Sequence, residues 1–516
     1  MEVFTMEDQT VPKPERALQA LGAAFLLAVL NQYLFYGKMP GVSYPIFVCL
    51  FYVFVLYFAK DKLRKPAVVS YVWLGAIVLL SLTYALFANW LFFGLNLLVI
   101  PALILLHMTY MLSYKLPSWN GPLMIGAAAE HLFAQSLRHW GTAPRIIRRM
   151  FGGGKLQDER KQVVIKVLTG LGISLPLLLI VTSLLSSADG VFHELLAGIP
   201  QMLERLSFGE GFARLLWVLL LGTGMFGLLW GFVDHKVYVW NPKPELNMED
   251  GPSAESLNEL LPQPLTLKVD PVILTTILTV INTVYVLFVS LQFSYLFGAW
   301  DGILPEGSTY ADYARSGFLE LILVTSINFV LLLLSLHSTG PAAARLRTIV
   351  NFLLYILVLC SVVMLYSAYS RLALYEEAYG YTYIRFLVHA FMIFLGLLLV
   401  LAAVRISRVH FPLAPCCLAL GLFSYVLINY IGMDHIIAKQ NIQRYETSGI
   451  LDTSYLSRLS PDVTPLLIDF SRQDNGRLDE ILREKWDNRT QDARPWPSFN
   501  AAKFRAERAL EQYFAE

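Results

Sequence analysis

The stretch TYIRFLVHAFMIFLGLLLVLAAV, residues 382–404, decides the fold of this chain. Apart from Arg385 and His389 near its beginning, it contains no Lys, Arg, Asp, Glu or His. As a helix, a segment of this length is roughly 35 Å long, enough to cross about 30 Å of bilayer hydrocarbon. Within a bilayer, a helix satisfies all of its own backbone hydrogen bonds. The stretch therefore predicts a transmembrane helix.

Ten further apolar segments occur along the chain. The 516 residues are 56% hydrophobic and only 15% charged, whereas soluble domains carry about a quarter charged residues. We therefore predict an all-α fold, a polytopic transmembrane helix bundle of about 11 spans. The other predicted spans lie near residues 17–37, 41–59, 67–88, 90–113, 163–187, 211–233, 271–297, 317–338, 348–370 and 411–433.

The basic residues between the spans predict the orientation. If the N-terminus lies inside, the inner segments hold 21 Lys and Arg residues, and the outer loops hold only Lys38, Arg205, Arg315 and Arg371. Cytoplasmic loops of membrane proteins carry the excess of Lys and Arg. The bias thus predicts an inside N-terminus, and an odd number of spans places the C-terminus outside.

These predictions divide the chain into four regions. Residues 1–113 form an N-terminal four-span region, and residues 114–162 form a basic cytoplasmic loop. Residues 163–433 form a seven-span core, and residues 434–516 form a small helical extracytoplasmic tail. In the tail, the first helix is expected to continue the last span through Arg444. Ser460 is expected to cap a helix with Pro461 in its first turn, Asn475-Gly476 to form a turn, and Asn500 to cap the final helix.

Polar side chains gather at the predicted outer ends of several spans. A carboxylate at such a boundary is costly unless it is paired or hydrated. We therefore predict an outward-facing polar site between spans five, eight and ten. Its candidate residues are Asp189, His193, Tyr310, Tyr313, Arg315, Glu320, Glu376, Glu377, Arg385 and His389.

A structural interpretation of the same residues stays open. Tyrosines belong to the aromatic belt at membrane interfaces, and ion pairs often lock helices together. Deeper in the predicted spans most polar side chains are amides, which favours interhelical hydrogen bonds over a proton or ion path. The chain contains no phosphate-binding loop, no HExxH and no GxSxG motif. The sequence therefore predicts no catalytic motif, no cofactor and no metal site.

The predicted partners are membrane lipids. Residues 114–162 contain an amphipathic stretch, Ala127 to Trp140, followed by a basic run from Arg145 to Arg149, a combination that suits contact with anionic lipid headgroups. The alternative is that these charges only fix the topology. A protein partner at this loop or at the outer tail is also expected. The net charge of +1 argues against nucleic acid.

Several motifs resemble a known family. They include Ser187-Ala188-Asp189, the run from Tyr310 to Leu321, and the tail patterns that begin at Asn441 and at Leu451. In these motifs the chain resembles the bacterial polytopic membrane proteins of domain-of-unknown-function family 4173 and its relative 4153. The resemblance extends from about residue 20 to about residue 470. It implies a bacterial cytoplasmic membrane protein and supplies no established activity.

Three functional hypotheses follow. The first is a non-enzymatic membrane protein that senses or binds an envelope component at its outward face, or acts as a signalling accessory protein. The second is a transporter or lipid flippase, and the third is a membrane-embedded enzyme acting on lipid or cell-wall intermediates. In the third, Glu320, His193 or His389 would be the acid/base candidates, and Arg315 or Arg385 would hold an anionic headgroup.

Overall fold

The structure is a computed structural model of the full chain. It describes residues 14–64, 68–113, 122–150, 174, 210–234, 270–300, 318–338, 344–487 and 495–515. Every regular element in these ranges is a helix. The predicted fifth span, residues 163–187, lies outside them apart from residue 174. The candidate site residues Asp189, His193, Tyr310, Tyr313 and Arg315 also lie outside the described residues.

The first half of the chain forms eight described α-helices. A π-helical turn, His131–Ser136, separates the fifth from the sixth. The helices are α1 Pro14–Phe35, α2 Ser43–Phe58, α3 Val68–Leu86, α4 Trp90–Leu112, α5 Pro122–Glu130, α6 Leu137–Trp140, α7 Thr142–Met150 and α8 Glu210–Val233.

The second half adds ten described α-helices. They are α9 Pro271–Trp300, α10 Phe318–Ser338, α11 Ala344–Tyr379, α12 Tyr383–Ser407, α13 Leu413–Tyr430, α14 Met433–Ser448, α15 Thr453–Ser457, α16 Thr464–Gln473, α17 Asp479–Asp487 and α18 Ala501–Ala515. Short 3₁₀ turns lie at Pro461–Val463 and Trp496–Ser498.

The described part of the chain contains nine helices that are long and apolar enough to cross a membrane. They are α1, α3, α4 and α8 to α13. Most ends of these helices lie within a few residues of the ends of the predicted spans. The tenth apolar helix, α2, has 16 residues and is about 24 Å long, somewhat short of the hydrocarbon thickness. The chain is thus a multi-pass membrane protein, and every regular element in the part that the structure describes is a helix.

Contacts divide the chain into two compact units. The first comprises Met1–Ala85, Leu98–Tyr238 and Arg494–Phe499. In this unit α1 packs along α8, around the fully buried side chains of Phe226 and Leu229. A Cβ at Gly222 of α8 would lie 2.6 Å from the ring of Phe25 in α1. Glycine is therefore required for this close helix approach, as is common between membrane helices.

The second unit comprises Leu86–Leu97, Val239–Ala493 and Asn500–Glu516. Its helices α9, α10 and α12 pack against the long helix α11, around Leu354, Leu357 and Met364. Buried amides join these helices. Asn328 of α10 accepts a hydrogen bond from the Tyr285 hydroxyl of α9 at 2.7 Å and donates to Ser361 of α11 at 2.9 Å. The predicted interhelical role of the membrane amides is confirmed at this position.

The tail forms a helical cluster within this second unit. Helices α14 to α18 surround the fully buried side chains of Val463, Leu467 and Leu482. The predicted turn at Asn475-Gly476 is confirmed, since both residues have positive φ, 53° and 80°. The predicted cap of the final helix is also confirmed, because Asn500 Oδ1 accepts the Lys503 amide at 3.0 Å.

One local prediction for the tail is wrong, and a second is confirmed only in part. The last span does not continue into α14, because α13 ends at Tyr430 and Gly432, with φ of +73°, starts a separate helix. A left-handed residue cannot continue an α-helix, and glycine adopts it without steric cost. Ser460 occupies the predicted N-cap position and Pro461 the first turn of Pro461–Val463, but the Ser460 hydroxyl makes no capping hydrogen bond. It is engaged instead by two carboxylates, as described below.

Candidate functional site

Glu376 and His389 form a buried pair at adjoining ends of α11 and α12. His389 Nε2 lies 2.9 Å from Glu376 Oε2, and Glu376 is only 4% exposed. The ring of Tyr369 contacts the His389 ring edge-on, with centroids 4.6 Å apart. A buried carboxylate is costly unless it is paired and hydrogen-bonded. The pair therefore couples the two helices at this end.

Arg385 and Glu377 lie in the same region with different surroundings. The Arg385 guanidinium donates to the Gly380 carbonyl and lies over the ring of Tyr375, 4.3 Å from its centroid. The Glu377 side chain is exposed and makes no hydrogen bond or ion pair within the described part of the chain. The structure thus brings four predicted site residues, Glu376, Glu377, Arg385 and His389, to the turn between α11 and α12. Glu320 lies exposed in the first turn of α10.

A pocket with a volume of about 730 Å³ lies between α11 and α14. Ligand pockets in proteins commonly have about 300–1,000 Å³. Its residues recur at helical spacing, so each helix presents one face. The lining consists of Tyr366, Tyr369, Ser370, Arg371, Ala373, Leu374, Glu377 and Tyr381 on one side, and of Gln440, Gln443, Arg444, Thr447 and Ser448 on the other.

Two residues of α14 hold the turn that closes α11. Asn441 pairs with the backbone of Tyr381, accepting its amide and donating to its carbonyl, both at 2.9 Å. Arg444 donates to the carbonyls of Glu377 at 2.7 Å and Ala378 at 2.6 Å. The last carbonyls of a helix lack partners within it, and cations favour that end. Asn441 and Arg444 therefore fix the geometry of the pocket rim.

A second polar cluster lies where the tail meets the start of α4. The Asp434 carboxylate, 3% exposed, accepts hydrogen bonds from Asn89 Nδ2 at 2.5 Å, from Ser460 Oγ at 2.8 Å and from the Tyr383 hydroxyl. Asn89 in turn accepts the backbone amides of Leu91 and Phe92 and so caps α4. One buried carboxylate thus orients the first turns of α4 and α12.

Ser460 contacts a second carboxylate as well. Its Oγ lies 3.0 Å from Asp462 Oδ2, which also accepts the Ala88 amide at 2.9 Å. The hydroxyl has one proton and two carboxyl neighbours. If both carboxyls were ionised, the single hydroxyl proton would bond to only one of them. The other carboxylate would then face a lone pair of the Ser460 oxygen. A proton on Asp462 completes the chain, because Asp462 then donates to Ser460 and Ser460 donates to Asp434.

Several neighbouring groups influence the pKa of the Asp462 carboxyl. Burial is the main influence and raises the pKa of the Asp462 carboxyl above its ordinary value of 3.8, and the charge of Asp434 raises it further. The Ala88 and Ser460 hydrogen bonds and the charge of Arg505 act in the opposite direction. A neighbouring negative charge disfavours ionisation of a carboxyl and so raises its pKa.

The stability that Asp462 contributes is expected to fall as the pH rises. Because the folded-state pKa is raised, the contribution is fully present below the ordinary pKa of 3.8 and is lost as the pH passes through the folded-state value. Melting temperatures of wild type and Asp462→Asn, measured from acid to neutral pH, check this. The wild type should lose stability relative to the variant, since an amide keeps a donor at every pH. The exposed Asp469→Asn serves as the control, and a wild-type-to-variant difference that is constant with pH would contradict the expectation.

Sequence reasoning missed Asp434, Asn441 and Arg444 as site residues. Asn441 and Arg444 carried one available signal, since residues three apart share one face of a helix. Asp434 carried none, because its partner Asn89 lies 345 residues away. Among the residues that the structure describes, no group of three or more His, Cys, Asp or Glu side chains is arranged to hold a metal ion.

The chain was compared with curated proteins, solved structures and protein-family models. No curated protein and no solved structure matches the chain. One family's sequence model matches residues 74–470, which include α11, α12, α14 and the Asp434 cluster. The chain therefore belongs to the family described as Domain of unknown function (DUF4153).

Proposed function

We propose that this chain is an integral protein of a bacterial cytoplasmic membrane that binds an envelope component at its outward face. The protein crosses the membrane eleven times, with the N-terminus inside and the tail outside. The excess of Lys and Arg in the inner segments supports this orientation. It places the adjoining ends of α11 and α12 and the tail helices on the outer side.

The observation that carries the proposal is the pocket of about 730 Å³ between α11 and α14. It combines tyrosine rings, amide side chains, hydroxyls and the charged side chains of Arg371 and Glu377. Pockets that bind small molecules are concave and contain a few placed polar groups of this kind. The Glu376–His389 pair and the Asn441–Arg444 contacts stabilise its walls.

The proposed partners follow from the same orientation. Membrane lipids surround the spans, and the basic loop of residues 114–162 contacts anionic lipid on the inner side. The amphipathic stretch of this loop, Ala127 to Trp140, is helical in the structure. A protein partner at this loop or at the outer tail would carry the signal of a bound envelope component.

Native mass spectrometry with lipidomics on the purified protein tests the proposal. We expect a specific envelope molecule to copurify with the wild type and to be reduced about tenfold in Arg371→Ala, since a charge-assisted contact is worth roughly 1.5–3 kcal/mol. The matched control is Arg458→Ala, which removes an exposed arginine of the tail outside the pocket. Identical ligand profiles in all three proteins would contradict the proposal.

The buried pair favours one second candidate function, a membrane-embedded enzyme. A carboxylate 2.9 Å from a histidine orients the imidazole, as in general-base catalysis, and Tyr369 joins that histidine to the pocket. The same measurement separates the two functions. An enzyme would convert an added copurifying molecule to a product of different mass, and a binding protein would return it unchanged.

A further inference from the structure

The charges of the pocket between α11 and α14 are of both signs. Arg371 and Glu377 both line it, and they lie six residues, or about 9 Å of axial rise, apart on α11. Arg444 of α14 lines it as well, with its guanidinium bound to the carbonyls of Glu377 and Ala378. A ligand that is only anionic would meet repulsion from the Glu377 carboxylate. A ligand that is only cationic would meet repulsion from Arg371. Electrostatic complementarity therefore favours a ligand that carries both charges.

The aromatic lining suits the cationic part of such a ligand. Tyr366, Tyr369 and Tyr381 border the pocket together with Glu377. Ammonium groups bind to the faces of aromatic rings, and a nearby carboxylate adds to that attraction. Arginine is the side chain that most often binds phosphate, through two parallel hydrogen bonds. Ammonium near Glu377 and phosphate near Arg371 thus match the two ends of the pocket.

The length of α11 places this pocket at the level of lipid headgroups. The helix has 36 residues and is about 54 Å long, whereas the hydrocarbon core is about 30 Å thick. If the helix enters the hydrocarbon near its N-terminus, it leaves after about 20 residues, close to Tyr366. Tyrosines are enriched at that interface.

An apolar surface continues from the pocket toward the membrane interior. Leu359 and Val362 are 65% and 42% exposed, and they share the helix face of Tyr366 at spacings of three, four and seven residues. An acyl chain attached to a bound headgroup can lie along this face. The pocket thus matches the headgroup of a phospholipid, and the apolar face matches its acyl chains.

We propose that the pocket between α11 and α14 binds a phosphate–ammonium zwitterion, the headgroup chemistry of an amino phospholipid. This inference rests on the proposed function, since it names the ligand class for the same pocket. The ammonium lies against Glu377 and the tyrosine rings, and the phosphate lies against Arg371. The acyl chains extend along Val362 and Leu359.

Lipid binding to the full-length protein in detergent, followed by native mass spectrometry, tests this inference. The probes are phosphatidylethanolamine and phosphatidylglycerol with identical acyl chains, and soluble phosphoethanolamine. The variants are Glu377→Gln and Arg371→Ala. The matched control is Glu446→Gln, an exposed glutamate of α14 outside the pocket. Glu377 is exposed, so its variant is expected to fold, and its melting temperature checks that.

The wild type should prefer phosphatidylethanolamine. Glu377→Gln should weaken that binding about tenfold, because the ammonium contact is lost. It should not weaken phosphatidylglycerol binding, because the repulsion between the Glu377 carboxylate and that anionic headgroup is removed. Arg371→Ala should weaken both lipids, and Glu446→Gln neither. Tight binding of phosphoethanolamine with the same Glu377 dependence would support the zwitterion and identify a soluble source.

Two results would overturn the inference. Equal or tighter binding of phosphatidylglycerol, with no effect of Glu377→Gln, would reject the zwitterion and leave the envelope-binding function standing. If no probe binds and no molecule copurifies with the wild type, both the inference and the proposed function are rejected.

Discussion

Asp434→Ala is expected to lower the stability of the protein by about 4 kcal/mol or more. The substitution removes the common acceptor of Asn89, Tyr383 and Ser460. Ser460 keeps Asp462 as an acceptor, whereas the partly buried Asn89 amide and Tyr383 hydroxyl lose theirs. Each unsatisfied buried donor costs roughly 1–3 kcal/mol, and a total above about 4 kcal/mol is rare for a single substitution. Thermal unfolding in detergent and limited proteolysis of the tail measure the change.

The matched control for this variant is Asp469→Ala, an exposed aspartate of the same tail. Asp434→Asn should have an intermediate effect, because the amide keeps one oxygen acceptor and loses the charge. We expect proteolysis to cut the tail of Asp434→Ala first. A melting temperature equal to that of Asp469→Ala would show that the Asp434 cluster does not stabilise the fold.

His389→Ala is expected to destabilise the second unit by roughly 3 kcal/mol. It leaves the Glu376 carboxylate buried without its hydrogen-bonding partner at 2.9 Å. Breaking a buried pair on one side typically costs about 3–5 kcal/mol, and protonation of the glutamate recovers part of that cost. Melting temperatures of the wild type and the variant report the loss.

A double-mutant cycle distinguishes the interaction energy of the Glu376–His389 pair from the effect of lost packing around His389. Glu376→Gln in the His389→Ala background should recover part of the stability, since a neutral amide is less costly to bury than a carboxylate. The exposed His410→Ala is the matched control. If the effects of the two single substitutions add without coupling, the pair does not join α11 to α12 energetically.

The spans were predictable from the sequence because their signal is local. Hydrophobicity and length are properties of a contiguous segment, and bilayer thickness sets the length that a span needs. The helices α8 and α12 lie within about three residues of the predicted segments 211–233 and 382–404. Local polar signals were equally reliable where a residue acts on its neighbours, as Asn500 does on the amide of Lys503.

Local reasoning was wrong where tertiary contacts compete for the same group. Ser460 has the right position for a helix cap, yet its hydroxyl bonds to Asp434 and Asp462. A buried carboxylate gains more from a donor than an exposed helix end does, because the helix end can bond to water instead. A capping rule that considers only neighbouring residues in the sequence cannot compare these two hydrogen bonds.

The sequence by itself determined that this chain is a multi-pass helical membrane protein, and it named the polar residues at one end of α11 and α12. Only the tertiary structure decided their partners. It paired Glu376 with His389, turned Arg385 toward the Gly380 carbonyl, and left Glu377 facing the pocket. The physical reason is range. Insertion into a bilayer depends on the summed hydrophobicity of one contiguous segment. A buried pair or a pocket depends on which helix faces meet, and packing among segments far apart in the chain determines this.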